Sequence, residues 1–194
     1  MRLRALPRTG LSFILLALVP GSLAGQLPQP PDGWWTNLLQ DGAYPTAVLE
    51  YDLGMAMTIT QSIEAIDGAT ITLATSTTVM GNQSGAQTST VNATMIKPAE
   101  SVGLLAGFSG ATPAQIVEQG AEFRKVEDTT CVIGDLELEC ALYEMESGAA
   151  TVRLWHAPAI PPIFNGGFAK SETTANGQTM SITVTGYEGK LLEE

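Results

Sequence analysis

Residues 131–187 read CVIGDLELECALYEMESGAATVRLWHAPAIPPIFNGGFAKSETTANGQTMSITVTGY, and this stretch decides the fold. It contains both cysteines and the only histidine of the 194-residue chain. Apolar and polar residues alternate through much of it, and segments rich in Gly and Pro interrupt the alternation. A period of two residues is typical of antiparallel strands with one solvated face. The stretch therefore predicts paired strands, with a crossover at Pro158 to Pro162 where a regular ladder of hydrogen bonds cannot continue.

The same period of two residues begins upstream, at Thr46, and is interrupted at Gly54. Asp67-Gly68 and Asn176-Gly177 are strong signals for hairpin turns. Further strands are predicted at residues 70–79, 87–96 and 121–127. We therefore expect a mainly β fold, a curved antiparallel sheet or half-barrel of seven to nine strands.

One or two short helices are expected beside these strands. Trp34, Trp35, Leu38 and Leu39 recur at nearly one helical turn in the segment WWTNLLQ, residues 34–40. A second helix is predicted at residues 113–119, because Thr112 provides an N-cap followed directly by proline. The predicted domains are a signal peptide at residues 1–24, a Pro-rich lead-in with its helix at 25–45, and one β domain at 46–194.

The N-terminal segment has the three parts of a secretory signal peptide. Three arginines precede an apolar core at residues 11–19, and small residues precede a cleavage site after Ala24 or Gly25. The core is shorter than the roughly 20 apolar residues of a membrane span. Gln26 stands where a lipoprotein would have its acylated cysteine. The mature chain is therefore expected to be periplasmic or secreted, not lipidated, and without a transmembrane segment.

The two cysteines of an exported chain, Cys131 and Cys140, are predicted to form a disulfide. Either a two-residue turn at residues 135–136 or a four-residue loop at 134–137 would place them directly opposite in a hairpin. Closing so short a loop contributes about 2–3 kcal/mol to stability. A redox pair is the alternative, but the Cys-x-x-Cys spacing and a basic partner are both missing.

The charge of the mature chain limits its partners. Removal of the signal peptide with Arg2, Arg4 and Arg8 leaves six Lys and Arg residues against twenty Asp and Glu, a formal charge of −14. Such a surface lacks the cations that replace counterions around nucleic acid or bind anionic membranes. The scattered acids promote solubility and form no Asp-x-Asp-x-Asp calcium loop. We therefore expect no nucleic-acid partner.

The sequence gives little indication of a catalytic or metal-binding site. His156 is the only histidine, so any site that needs two is excluded, and no G-x-S-x-G elbow occurs. We interpret His156 as a strand residue packed beside Trp155. The glutamates of residues 137–146 could supply a carboxylate pair, but they alternate on predicted solvent faces. The methionines suit core packing better than copper binding, because no histidine lies beside them. A non-enzymatic protein without cofactor or metal is predicted.

The apolar face of the predicted sheet is the candidate binding surface. A curved sheet leaves a concave interior that suits an acyl chain or another apolar ligand. The alternative is that this face fills with its own side chains. The residues predicted to form the face are Leu49, Tyr51, Met57, Ile59, Ile71, Leu73, Leu142, Leu154, Ile182 and Val184.

The C-terminal half contains a series of short motifs that occur together in a known group of proteins. They are Cys140 with Tyr143 and Glu144, Trp155, Pro158 to Pro162, Gly166-Gly167 with Lys170, Gly177 to Met180, and Gly186-Tyr187. In these motifs the chain resembles small exported bacterial β-proteins that are mostly uncharacterised. The resemblance implies a fold similar to the open half-barrel of periplasmic lipoprotein carriers and receptors. Neither lipoprotein transport nor any functional residue is carried over from it.

Two functions follow as hypotheses. The first is a non-enzymatic periplasmic protein that binds an apolar small molecule or lipid on the concave face. The second is an envelope module that binds another protein, of unknown identity, through its strand edges and acidic surface.

Overall fold

The computed structural model describes residues 27–96, 123–147 and 150–193. The predicted signal peptide and the predicted helix at 113–119 lie outside these residues. The strands are β1 Thr46–Asp52, β2 Ala56–Asp67, β3 Thr70–Val79, β4 Asn82–Gln83, β5 Gln87–Asn92, β6 Arg124–Ile133, β7 Leu136–Ser147, β8 Ala150–His156, β9 Phe168–Ala175 and β10 Gln178–Glu188.

All described strands belong to one curved antiparallel sheet, which confirms the predicted fold class. Its order is β4-β3-β2-β1-β10-β9-β8-β7-β6, and β5 also pairs with β3. The first strand therefore pairs with the last, and this pair joins the N-terminal strands to the C-terminal ones. The described part of the chain has ten strands, one more than the upper prediction, because Asn82–Gln83 forms a two-residue strand.

The hairpin turns show why the chain reverses where it does. Asn176 and Gly177 have φ values of 53° and 76° between the paired residues Ala175 and Gln178, as the Asn-Gly signal predicts. The turn after β2 is one residue later than predicted. It consists of Gly68 and Ala69, because Asp67 still pairs with Thr70.

The short helix predicted at residues 34–40 is wrong, and turns occupy residues 32–37 instead. Gly33, which directly precedes the predicted helix, has a φ of 70° and lies within these turns. The amide of Thr36 donates to the carbonyl of Gly33 at 2.9 Å and closes a single turn. Trp34 and Leu38 are buried, so this segment belongs to the core although it is not helical.

The predicted disulfide between Cys131 and Cys140 is confirmed, but the predicted pairing of the two residues is wrong. Cys131 lies opposite Leu138, and Cys140 lies opposite Thr129, so the bridge joins diagonal neighbours with Cα atoms 5.9 Å apart. The hairpin turns at residues 134–135, because Gly134 adopts the left-handed conformation with a φ of 57°. This position shifts the register by two residues from the predicted one.

The described residues bury two apolar clusters, and β7 contributes to both of them. Leu138 and Cys140 join the larger cluster, whereas Tyr143 and Met145 join the smaller one. The pairing of β7 with its neighbours skips no β7 residue, so even and odd positions point to opposite faces. Strand β7 therefore changes its buried face between residues 140 and 143.

None of the helical segments in the described ranges has the length and apolar character that a membrane span requires.

Candidate functional site

A cavity of about 720 Å³ lies where the sheet meets three irregular segments of the chain. Its floor is one face of strands β6, β7 and β8. Cross-strand pairs place the floor residues on this common face: Lys125 lies opposite Tyr143, Asp128 opposite Ala141, Thr130 opposite Glu139, and Ala141 opposite His156. The one-residue bulge at Val126 keeps Lys125 and Asp128 on the same face despite their spacing.

The first wall is the N-terminal strap, residues 27–31, which contributes Pro28, Pro30 and Pro31. Leu27 anchors the strap, because its side chain is buried in the smaller cluster with Tyr143 and Phe168. Every other buried member of that cluster comes from β7, β8 or β9. The strap therefore covers the end of the sheet with one buried leucine and holds its prolines against the cavity.

The second wall is the crossover, residues 157–167, which contributes Pro158, Ile160, Pro162 and two glycines. The amide of Ala157 donates to the carbonyl of Gly167 at 3.0 Å, so the crossover closes on itself. The tail, residues 190–193, is bound to the crossover by a hydrogen bond of 2.8 Å from the amide of Leu192 to the carbonyl of Ala159. Leu192 and Glu193 complete the lining.

His156 lies in the cavity floor between two aromatic rings. Its ring centre is 6.4 Å from that of Tyr143 and 5.8 Å from that of Phe168, both edge-on. Burial lowers the pKa of His156 to about 4. The imidazole is therefore neutral at physiological pH, with one nitrogen that donates and one that accepts a hydrogen bond.

The predicted packing of His156 beside Trp155 is wrong, because neighbouring strand residues point to opposite faces. The Trp155 ring instead lies under the ammonium of Lys170, at 5.0 Å from the ring centre. That opposite face also contains a network of charges in which Glu144 contacts Arg153 at 2.8 Å and Arg124 at 3.1 Å. The hydrogen bond from Arg153 is the main reason that the pKa of Glu144 is lowered. Of the two faces of strands β6, β7 and β8, the cavity therefore lies on the one with fewer charged residues.

Tyr143 is the most deeply buried polar side chain of the lining, with 8% of its surface exposed. Its hydroxyl makes no hydrogen bond with any of the described residues. Because Tyr143 pairs with Lys125 on the same face, its polar end lies on the cavity side of β7. The cavity thus combines proline-rich walls with a floor that presents the Tyr143 hydroxyl, the His156 imidazole and the charged groups of Lys125, Asp128 and Glu139.

The predicted apolar face largely exists, but most of it is filled. Register pairs place nine of the ten predicted residues on one face, the same face as the cavity floor. None of the ten lines the cavity. The six that are fully buried in the cores are Leu49, Ile71, Leu73, Leu154, Ile182 and Val184.

Leu142 is the residue that the prediction places on the wrong face. It pairs with Trp155, whereas Leu154 pairs with Tyr143, so Leu142 and Leu154 point in opposite directions. The prediction fails because β7 changes its buried face after Cys140. Tyr51, Met57 and Ile59 remain on the predicted face and are partly buried.

The predicted core packing of the methionines is wrong for three of them. Met55, Met80 and Met95 are exposed, because they lie in or beside turns where no core covers them. Across the described ranges, no three His, Cys, Asp or Glu side chains come together in a manner that could hold a metal ion.

Comparison with known proteins adds no assignment. No family model matches the sequence, and no curated protein matches it. The solved structure titled "Structure of PNGF-II in P21 space group" is similar with a TM-score of 0.29 and 10% sequence identity. The match covers 77% of this chain but only 28% of the PNGF-II chain. A likeness at this level supports no statement about function, which must come from the cavity.

Proposed function

We propose that the mature chain is an exported, non-enzymatic protein that binds a small, largely apolar ligand in the cavity above β6, β7 and β8. The observation that carries this proposal is the cavity, whose volume of about 720 Å³ falls within the range of small-molecule pockets, about 300–1,000 Å³. Apolar walls with a small number of polar groups are also typical of such pockets.

The walls are suited to binding because prolines and buried anchor residues restrict their backbone. Five prolines line the cavity, and the pyrrolidine ring fixes their backbone. Leu27, Ile160 and the disulfide at Cys140 hold the strap, the crossover and the floor in place. Binding of a ligand therefore orders little of the protein, so that little binding free energy is lost to ordering. This proposal places the ligand at one end of the predicted apolar face, beyond the part filled by the core.

Filling the cavity should abolish binding without unfolding the protein. Thr130 is exposed on β6 and lines the cavity, so Thr130→Trp places an indole in the space that the ligand would occupy. We expect affinity for the neutral dye Nile red, measured by its fluorescence, to fall at least about tenfold.

Val132 provides the matched control for this substitution. It lies two residues further along the same face of β6, is 67% exposed and does not line the cavity. Val132→Trp should leave the affinity unchanged. Equal binding by the wild type and Thr130→Trp would contradict the proposed site.

A second candidate function is protein binding along β6, which is the last strand at one end of the sheet among the described strands. Val132 favours it, because an exposed valine on an edge strand is a typical contact for an added strand. Charged residues and a bulge at residues 124–128 disfavour the pairing of another strand with the first half of β6. Cross-linking to envelope extracts that persists unchanged in Val132→Lys would remove this candidate.

A further inference from the structure

We infer that the cavity selects amphiphilic cations, in which an organic ammonium ion is attached to an apolar body, over carboxylates of the same length. This inference rests on the proposed function, since it specifies the class of ligand that the same cavity takes. It is carried by the charges of the lining together with the hydroxyl of Tyr143, which makes no hydrogen bond with any described residue.

The lining residues that the structure describes include three carboxylates and one cation. The carboxylates belong to Asp128, Glu139 and Glu193, and the cation is Lys125. Lys125 forms an ion pair with Asp128, and Glu193 contacts Lys190 at 3.4 Å outside the lining. Glu139 makes no ion pair with any described residue. Within the described residues, the lining therefore presents one uncompensated carboxylate and no uncompensated cation.

The second observation is the pair of polar groups in the floor. The Tyr143 side chain is more than nine-tenths buried, and no described residue satisfies its hydroxyl. The neutral imidazole of His156 adds a nitrogen that accepts a hydrogen bond. An ammonium ion has only donors, so both groups can accept from it, and the Tyr143 ring can also attract the cation. Glu139 shares the face of β7 with Tyr143, because the two residues lie four positions apart.

A carboxylate could also accept hydrogen bonds from the Tyr143 hydroxyl and from a His156 N–H, so the preference for a cation comes from the charges of the lining. Arginine is the side chain that binds carboxylates best, through two parallel hydrogen bonds. Arg124 on β6 and Arg153 on β8 belong to strands of the cavity floor, but both bind Glu144 on the other face of the sheet. A carboxylate in the cavity would meet Glu139, and no free cation among the described lining residues would offset the repulsion.

Three ten-carbon ligands that differ only in their head groups test this inference. Binding of decylammonium, decanol and decanoate to the full mature chain is measured by titration calorimetry at pH 7.5 and low salt, below the micelle concentrations. We expect decylammonium to bind about tenfold tighter than decanoate, with decanol between them. Added salt should reduce the difference in affinity between decylammonium and decanoate, because it screens the charges of the lining.

Glu139→Gln should remove most of the preference for the cation, and Glu137→Gln should retain it. Glu137 is the matched control because it is exposed on the same face of β7 and does not line the cavity. Decanoate binding as tightly as decylammonium, or an unchanged preference in Glu139→Gln, would overturn the inference while leaving a ligand site in place. Failure of all three ligands to bind would overturn the proposed function as well.

Discussion

Between pH 6.5 and pH 4, the free energy of unfolding is expected to fall by about 2.5 kcal/mol because of His156 alone. The imidazole is packed between the rings of Tyr143 and Phe168, and burial lowers its pKa to about 4 in the folded protein. In the unfolded chain its pKa returns to about 6.5. The unfolded state therefore binds a proton in this window that the folded state does not bind, so acid favours unfolding.

Urea unfolding at several pH values, in the wild type and in His156→Gln, measures this effect. Both proteins retain the same carboxylates, including Asp128 and Glu139 at the cavity. The contribution of these carboxylates to the pH dependence of stability therefore cancels when the two proteins are compared. The wild type should lose stability relative to the variant as the pH falls from 6.5 to 4, with little further relative change below pH 4. Parallel pH profiles would show that the imidazole titrates in water and does not form part of the cavity floor.

Phe164→Ala is expected to lower the free energy of unfolding by about 3–5 kcal/mol. Phe164 is fully buried in the crossover, and its ring centre lies 6.0 Å from that of Tyr187 on β10. Burial there also raises the pKa of Tyr187. Truncation of Phe164 would leave a void between the crossover and the sheet and remove an aromatic pair.

Phe164→Leu is the control that retains most of the apolar volume, and it should lose clearly less stability in the same urea experiment. Phe164 also positions the part of the crossover that contains Pro162 and Gly167, which line the cavity. Phe164→Ala is therefore expected to weaken Nile red binding too. A loss below about 1 kcal/mol would mean that the crossover is not fixed to the sheet by this residue.

The sequence predicts the strands well because their apolar residues repeat with a period of two. This period correctly assigns Leu49, Ile71 and Val184 to one face, although they come from three different strands. It fails at β7, where Leu138 and Tyr143 are both buried but on opposite faces. A local pattern assumes one buried face per strand, whereas this strand contacts two separate clusters.

The periodicity of the sequence does not predict the cavity, because most of the cavity wall is not made by strands. Its floor could have been found in part, since strand alternation places Tyr143 and Ala141 on one face. Its walls come from residues 28–31, 158–167 and 192–193, which are distant in sequence and have no periodicity. Only the folded chain brings these segments together. The proline-rich strap is the clearest case, because its role depends on where Leu27 is buried.

The central claim is that a ligand binds beside His156, and the imidazole resonances of that residue test it most directly. As the only histidine, His156 gives a single pair of carbon-bound imidazole proton signals when the protein carries no histidine tag. We predict that titration with decylammonium at pH 7.5 shifts these signals in a saturable manner in the wild type and in Val132→Trp, but not in Thr130→Trp. Resonances that stay unchanged in the wild type, while the ligand binds elsewhere or not at all, would contradict the account.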